Sequence, residues 1–105
     1  MVFTLVVHLF TQPGKEAQMK SELVKASQAY SKDKGTLAWF VMQDAKEPTK
    51  WVIVERYEAQ SDTKTHVANP YYKLFPKLVG PLLDPKKPMQ ITAYNELETG
   101  DRAKL

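Results

Sequence analysis

Apolar and polar positions alternate in two rhythms along the chain. From Phe3 to Phe10 the run Phe-Thr-Leu-Val-Val-His-Leu-Phe is apolar or β-branched almost throughout, which predicts a strand buried on both faces. Pro13-Gly14 turns the chain. From Lys15 to about Lys32, Met19, Leu23, Ala26 and Tyr30 recur every three or four positions with charge between them, the pattern of an amphipathic helix with one buried stripe. Gly35 stops it. Thr36 to Gln43 and Lys50 to Tyr57 read as two further strands, and the turn from Asp44 to Thr49 between them predicts a hairpin.

Beyond the hairpin, Ser61 is a predicted N-cap with Asp62 in the favourable first turn of a short helix that Pro70 limits after Asn69. A second short helix is expected from about Tyr71 to Val79, with a kink or break at Pro76 because proline lacks the N–H that the ladder needs. Pro81, Pro85 and Pro88 form a stiff connector, and Met89 to Leu97 is a last strand. The order β-α-β-β-α-α-β defines an α+β fold: a ferredoxin-like antiparallel sheet with helices on one face, spanning residues 1–98, followed by a polar tail over 99–105.

One face of that sheet is left over. The first strand carries Val6 and Phe10 on one side and Phe3, Leu5, Val7 and Leu9 on the other, and the second strand is equally two-sided. No further element remains to cover the second face, so the economical partner is an identical subunit, sheet against sheet about a two-fold axis.

Composition narrows the chemistry. A chain of 105 residues is one domain that buries about two-thirds of its unfolded surface. It has no stretch of the ~20 apolar residues a membrane helix needs, and Met1-Val2-Phe3-Thr4 lacks the basic start of a signal peptide, so a soluble intracellular protein without a membrane partner is expected. The absence of cysteine excludes a disulfide scaffold, a thiolate metal site and a cysteine nucleophile. The surplus of three positive charges is spread over lysines that alternate with acids, and no basic block is interleaved with aromatics, so nucleic acid is not an expected partner.

His8 and His66 are the only histidines, and neither stands in a metal-ligand spacing. Glycine-rich phosphate loops and the Gly-x-Ser-x-Gly elbow are missing too. His66 lies four residues after Asp62 and three before Asn69, so on one helix the three share a face. Such an imidazole can act as a base near neutral pH, with Asp62 orienting it and Asn69 holding a substrate oxygen. Equally, His66 can be a partly exposed helix residue with Asp62 serving the helix dipole. His8 reads as a hydrogen-bonded histidine on the face assigned to the subunit contact. Trp39, Phe40, Trp51, Tyr57, Tyr71, Tyr72, Phe75 and Tyr94 are enough aromatic surface for a flat ligand, or simply for a core.

Glu55-Arg56-Tyr57-Glu58-Ala59, followed by Thr65-His66-Val67-Ala68-Asn69-Pro70-Tyr71-Tyr72-Lys73-Leu74-Phe75, resembles the signature of the antibiotic biosynthesis monooxygenase domain family. In that signature a strand ending Glu-x-aromatic leads to a helix carrying a histidine, then a small-Pro-aromatic step into the next helix. Pro13-Gly14-Lys15 and Gly35-Thr36-Leu37 are similar as well, and the resemblance runs from about Val2 to Leu97. It implies a dimeric α/β barrel made by a homodimer. Enzymatic members include oxygenases that use neither metal nor flavin on hydroxyaromatic molecules such as quinols and anthrones. The haem-degrading branch is least similar, because its first-strand asparagine falls at Val7 and its helix tryptophan at His66.

The resemblance therefore implies a cofactor-free monooxygenase. His66, Asn69 and Asp62 would be its catalytic group, and Trp39, Tyr57, Tyr71, Tyr72 and Phe75 would line a pocket for a small aromatic substrate. The other expectation is a non-catalytic dimer that binds an aromatic metabolite or serves in stress protection. The final Ala103-Lys104-Leu105 resembles a small-basic-leucine peroxisomal address, so the compartment expected is the cytoplasm, or the peroxisome in a eukaryote.

Overall fold

A computed structural model of the chain describes residues 1–99. It contains β1 (Phe3–Phe10), α1 (Glu16–Tyr30), β2 (Thr36–Gln43), β3 (Lys50–Tyr57), a 3-10 turn (Gln60–Asp62), α2 (Thr63–Ala68), α3 (Tyr71–Val79), a second 3-10 turn (Gly80–Leu82) and β4 (Gln90–Asn95). The strands pair antiparallel in the order β2-β3-β1-β4. This is the ferredoxin-like α+β arrangement expected from the element order.

The predicted helix stripe is the centre of the core. Met19, Leu23, Ala26 and Tyr30 are all buried, and they pack on Val7, Leu9, Trp39, Trp51 and Ile53 of the sheet and on Val79 and Leu82. The helix ends at Tyr30, short of Lys32, because the chain turns there: the Asp33 N–H bonds the Tyr30 carbonyl, the Thr36 N–H bonds that of Asp33, and Gly35 takes φ +87°.

β1 is not buried on both faces in the single chain. Val7 and Leu9 are covered by the helices, whereas Val6, His8 and Phe10 are half-buried on the open side. That side is apolar and exposed at Phe40 (54%), Met42 (45%) and Tyr94 (53%). β4 is exposed along its whole length and runs only from Gln90 to Asn95, narrower than the Met89–Leu97 predicted.

Two local expectations are corrected. Ser61 does not cap the helix: the 3-10 turn begins after Ala59, and the Asp62 carboxylate reaches back to accept the Ala59 N–H at 3.0 Å. Nor does Pro76 break α3, which is helical from Tyr71 to Val79. Proline at its sixth position removes a single backbone donor from a nine-residue helix, and the packed residues on either side of it, Phe75 and Val79, keep the segment on the core. No helix among the described residues is long and apolar enough to cross a membrane. The Ala103-Lys104-Leu105 tripeptide lies outside the described residues.

Candidate active site

A cavity of about 190 Å³ lies between the helix-covered face of the sheet and α2 and α3. Each strand contributes to its floor: Trp39 from β2, Ile53 and Glu55 from β3, Val7 from β1 and Ile91 from β4. Tyr30 closes it from the end of α1, His66 from α2, and Tyr72, Phe75 and Pro76 from α3, with Met89 also in the lining.

Strand alternation explains the polar group in this floor. Along β3, Trp51, Ile53, Glu55 and Tyr57 all point inward and are buried. Three of them are aromatic or aliphatic and the fourth is a carboxylate. Trp39 stands opposite Glu55 in the β2–β3 register, and Leu5 stands opposite it in β1. Glu55 is only 5% exposed, so its charge is held by what surrounds it.

Those neighbours are specific. The Tyr57 hydroxyl donates to Glu55 Oε1 at 2.6 Å, and His66 Nε2 lies 3.6 Å from the same oxygen. Burial pushes the Glu55 carboxyl above its ordinary value, while the Tyr57 hydroxyl and the Trp39 indole favour the carboxylate. The indole N–H is near enough to act on that charge without meeting it in hydrogen-bond geometry. Burial likewise raises Tyr30 and Tyr57, with the Glu55 charge adding to both, so the two phenols stay protonated donors.

His66 is enclosed by aromatic rings. Centroid distances from its imidazole are 4.2 Å to Tyr30, 5.2 Å to Tyr72, 5.9 Å to Tyr57 and 6.3 Å to Trp39. It is 8% exposed, which removes the expectation of a partly exposed helix histidine. Burial lowers its pKa, and the Asp33 charge partly opposes this. The imidazole is therefore neutral at physiological pH and able to accept a proton.

Three buried polar atoms of the cavity lining have no hydrogen-bond partner: Tyr30 Oη, Trp39 Nε1 and His66 Nδ1. Leaving such atoms dry costs roughly 1–3 kcal/mol each. All three belong to side chains that line the one hollow, so the polar groups left unpaired by the fold are gathered around it.

Of the residues singled out from sequence, His66, Trp39, Tyr72 and Phe75 line this cavity. Tyr57 supports it from behind Glu55, and the Tyr71 ring lies edge-on to Tyr30 with centroids 5.4 Å apart. Asp62 and Asn69 are engaged elsewhere. Asp62 accepts the Ala59 N–H. Asn69 ends α2, its Oδ1 accepting the Tyr71 N–H at 2.9 Å and its Nδ2 donating to Asp33 Oδ1 at 2.9 Å. Neither side chain is hydrogen-bonded to the His66 imidazole, whose carboxylate neighbour is Glu55. Glu55 and Tyr30 were missed as site residues, although an acid at an inward position of β3 was the available signal. Among the described residues no group of three or more His, Asp or Glu is placed to hold a metal ion.

An aromatic-walled hollow under a ferredoxin-like sheet, with a histidine on the helix after the hairpin, defines the class. The chain belongs to the antibiotic biosynthesis monooxygenase family, whose model matches residues 2–77. Among solved structures it is similar to a candidate antibiotic biosynthesis monooxygenase from Nitrosomonas europaea, with TM-score 0.84 and 19% identity over 91% of this chain and 99% of the other. A second candidate from Deinococcus radiodurans gives TM-score 0.81 and 25% identity over 94% and 95% of the two chains. A variant of SnoaB, a cofactor-independent oxygenase from Streptomyces nogalater, gives TM-score 0.80 at 11% identity over 95% and 97%. No curated protein matches the chain.

Proposed function

We propose that the protein is a cofactor-independent monooxygenase acting on a small hydroxyaromatic, quinol-like or anthrone-like substrate. The observation that carries this reading is an aromatic-walled cavity lined by Tyr30, Trp39 and His66, each of which has a buried polar atom without a hydrogen-bond partner. Engineered apolar cavities of about 150 Å³ take up benzene, so a hollow of about 190 Å³ suits a substituted ring. Aromatic walls supply the stacking surface for it.

In this reading His66 takes the phenolic proton, and the electron-rich phenolate passes one electron to dioxygen. The resulting radical pair recombines with formation of a carbon–oxygen bond, and the imidazolium returns its proton to the peroxide. Loss of water, with departure of the proton on the same carbon, leaves the quinone carbonyl. One oxygen atom of dioxygen is thus in the product and the other in water. In this proposal the Tyr30 O–H and Trp39 N–H stabilise the developing oxyanion, the part expected of Asn69 from the sequence.

The protein acts as a homodimer in this proposal. The apolar open face carrying Phe40, Met42 and Tyr94 is what a second copy would cover.

Oxygen uptake by metal-stripped protein with a panel of quinols and anthrones tests the reading. Stoichiometric uptake that disappears in His66→Ala is expected. Saturable binding of the same molecules without any uptake would replace it with the non-catalytic aromatic-binding dimer.

A further inference from the structure

Resting on the reading of His66 as the base, we infer that Glu55 is its positioning residue: it holds the imidazole proton on Nε2 and so leaves Nδ1 as the basic lone pair of the ring. The two ring nitrogens have different surroundings. Nε2 lies 3.6 Å from Glu55 Oε1, whereas Nδ1 is buried without a partner, on a side chain that lines the cavity. A neutral imidazole carries one N–H. Facing a carboxylate, an N–H is attracted and a lone pair repelled, so the proton belongs on Nε2.

Glu55 is itself held in place. Strand register fixes its backbone between Trp39 and Leu5, and the Tyr57 hydroxyl anchors Oε1 at 2.6 Å. The groups facing His66 from each packed element are Tyr30 from α1, Asp33 from the turn after it, Trp39 from β2, Glu55 and Tyr57 from β3, and Tyr72 from α3. Asp33 acts on the ring through space, its Oδ1 being held by Asn69. Of these two acids it is Glu55 whose carboxyl oxygen lies 3.6 Å from a ring nitrogen. The 3.6 Å separation is slightly longer than a hydrogen bond, as base–orienter pairs commonly are before substrate tightens them.

Nitrogen-15 NMR of imidazole-labelled protein tests this without any substrate. Above the His66 titration, the wild type is expected to show a protonated Nε2 and an unprotonated, acceptor-type Nδ1. In Glu55→Gln the side-chain amide donates to Nε2 instead, and the proton should move to Nδ1. If His66→Ala identifies the wild-type resonances as the Nδ1–H form, or if Glu55→Gln leaves the proton where it was, the inference is overturned. A purely structural Glu55 would leave the tautomer unchanged. Should Glu55→Gln fail to fold, the wild-type spectrum decides alone. The result is independent of oxygen uptake, so failure here and failure of the monooxygenase reading are told apart. With an active quinol, Glu55→Gln is expected to lose kcat by roughly 10²- to 10⁴-fold, the range a wrong tautomer costs in carboxylate–histidine pairs.

Discussion

The Asp62 carboxylate occupies the space that a β-carbon on Gly35 would need, its Cβ, Cγ and Oδ1 all lying inside contact distance of that point. Gly35 is thus required twice, once by its φ of +87° and once by this close approach. Gly35→Ala should destabilise the protein by about 2 to 3 kcal/mol in urea denaturation. Asp62→Ala, which frees only the Ala59 N–H, should cost about 1 kcal/mol. Because both substitutions act on one contact, the double variant is expected to lose less than the sum of the two. Strict additivity would show that the close approach is not what penalises alanine.

His66→Ala should affect both chemistry and stability. The rate of oxygen uptake is expected to fall by roughly 100-fold or more, as loss of a general base commonly does. Removing a ring packed among Tyr30, Tyr57 and Tyr72 should also cost about 1 to 3 kcal/mol, read from the denaturation midpoint. Trp39→Phe separates packing from hydrogen bonding: it should fold with little loss and still slow turnover by roughly 10²-fold, since one oxyanion donor disappears. An unchanged rate in Trp39→Phe would remove the indole N–H from the mechanism.

Stability should decline on the acid side through His66. Burial holds its folded pKa below the ordinary 6.5, so between that lowered value and 6.5 the unfolded chain binds more protons. Its contribution is complete above 6.5 and is lost as pH falls through the folded value. Glu55 runs the opposite way: its raised pKa gives stability present below 4.5 and lost as pH rises through the folded value. Urea midpoints measured from about pH 7 to about pH 5 should therefore change less favourably toward acid in the wild type than in His66→Phe, which keeps an aromatic ring in the enclosure but lacks the titrating group. Equal slopes in the two proteins would assign the acid sensitivity elsewhere.

The open sheet face predicts the oligomer. Sedimentation should give about twice 12.0 kDa, and Phe40→Glu, placing a charge on the β2 part of that face, should yield a folded monomer. A wild-type monomer would leave Phe40, Met42 and Tyr94 without their proposed cover.

What could be read from sequence followed the periodicities. The Met19-Leu23-Ala26-Tyr30 stripe has a helical repeat and became the centre of the core, and all four strands were visible as apolar runs. The polar contacts of the site were harder, because they connect distant segments. The spacing of Asp62 and His66 suggested a shared helix face, yet α2 begins only at Thr63 and the Asp62 side chain turns back to the preceding turn. Glu55 contacts His66 eleven residues further on, through the fold rather than along a helix. Its inward parity beside Ile53 and Tyr57, and its place in the Glu-x-aromatic end of the strand, were the local traces of that role. Tyr30 looked like one more core residue, since nothing in a helical stripe says which hydroxyl is left without a partner.

His66 sits on a helix of six residues with no side-chain cap at its start, far below the length at which a helix stands alone. The segment that carries the proposed base thus depends on its tertiary contacts for its order. A ligand bridging His66 on α2 to Trp39 on β2 would become one of those contacts, and its binding energy would be returned as resistance of α2 to local opening. Linkage puts this at about 2.7 kcal/mol when the ligand stands at about a hundred times its Kd. Amide hydrogen exchange in α2 should slow accordingly in the presence of a true ligand, so an occupant of the cavity can be recognised by what it does to Thr63–Ala68 before any turnover is measured.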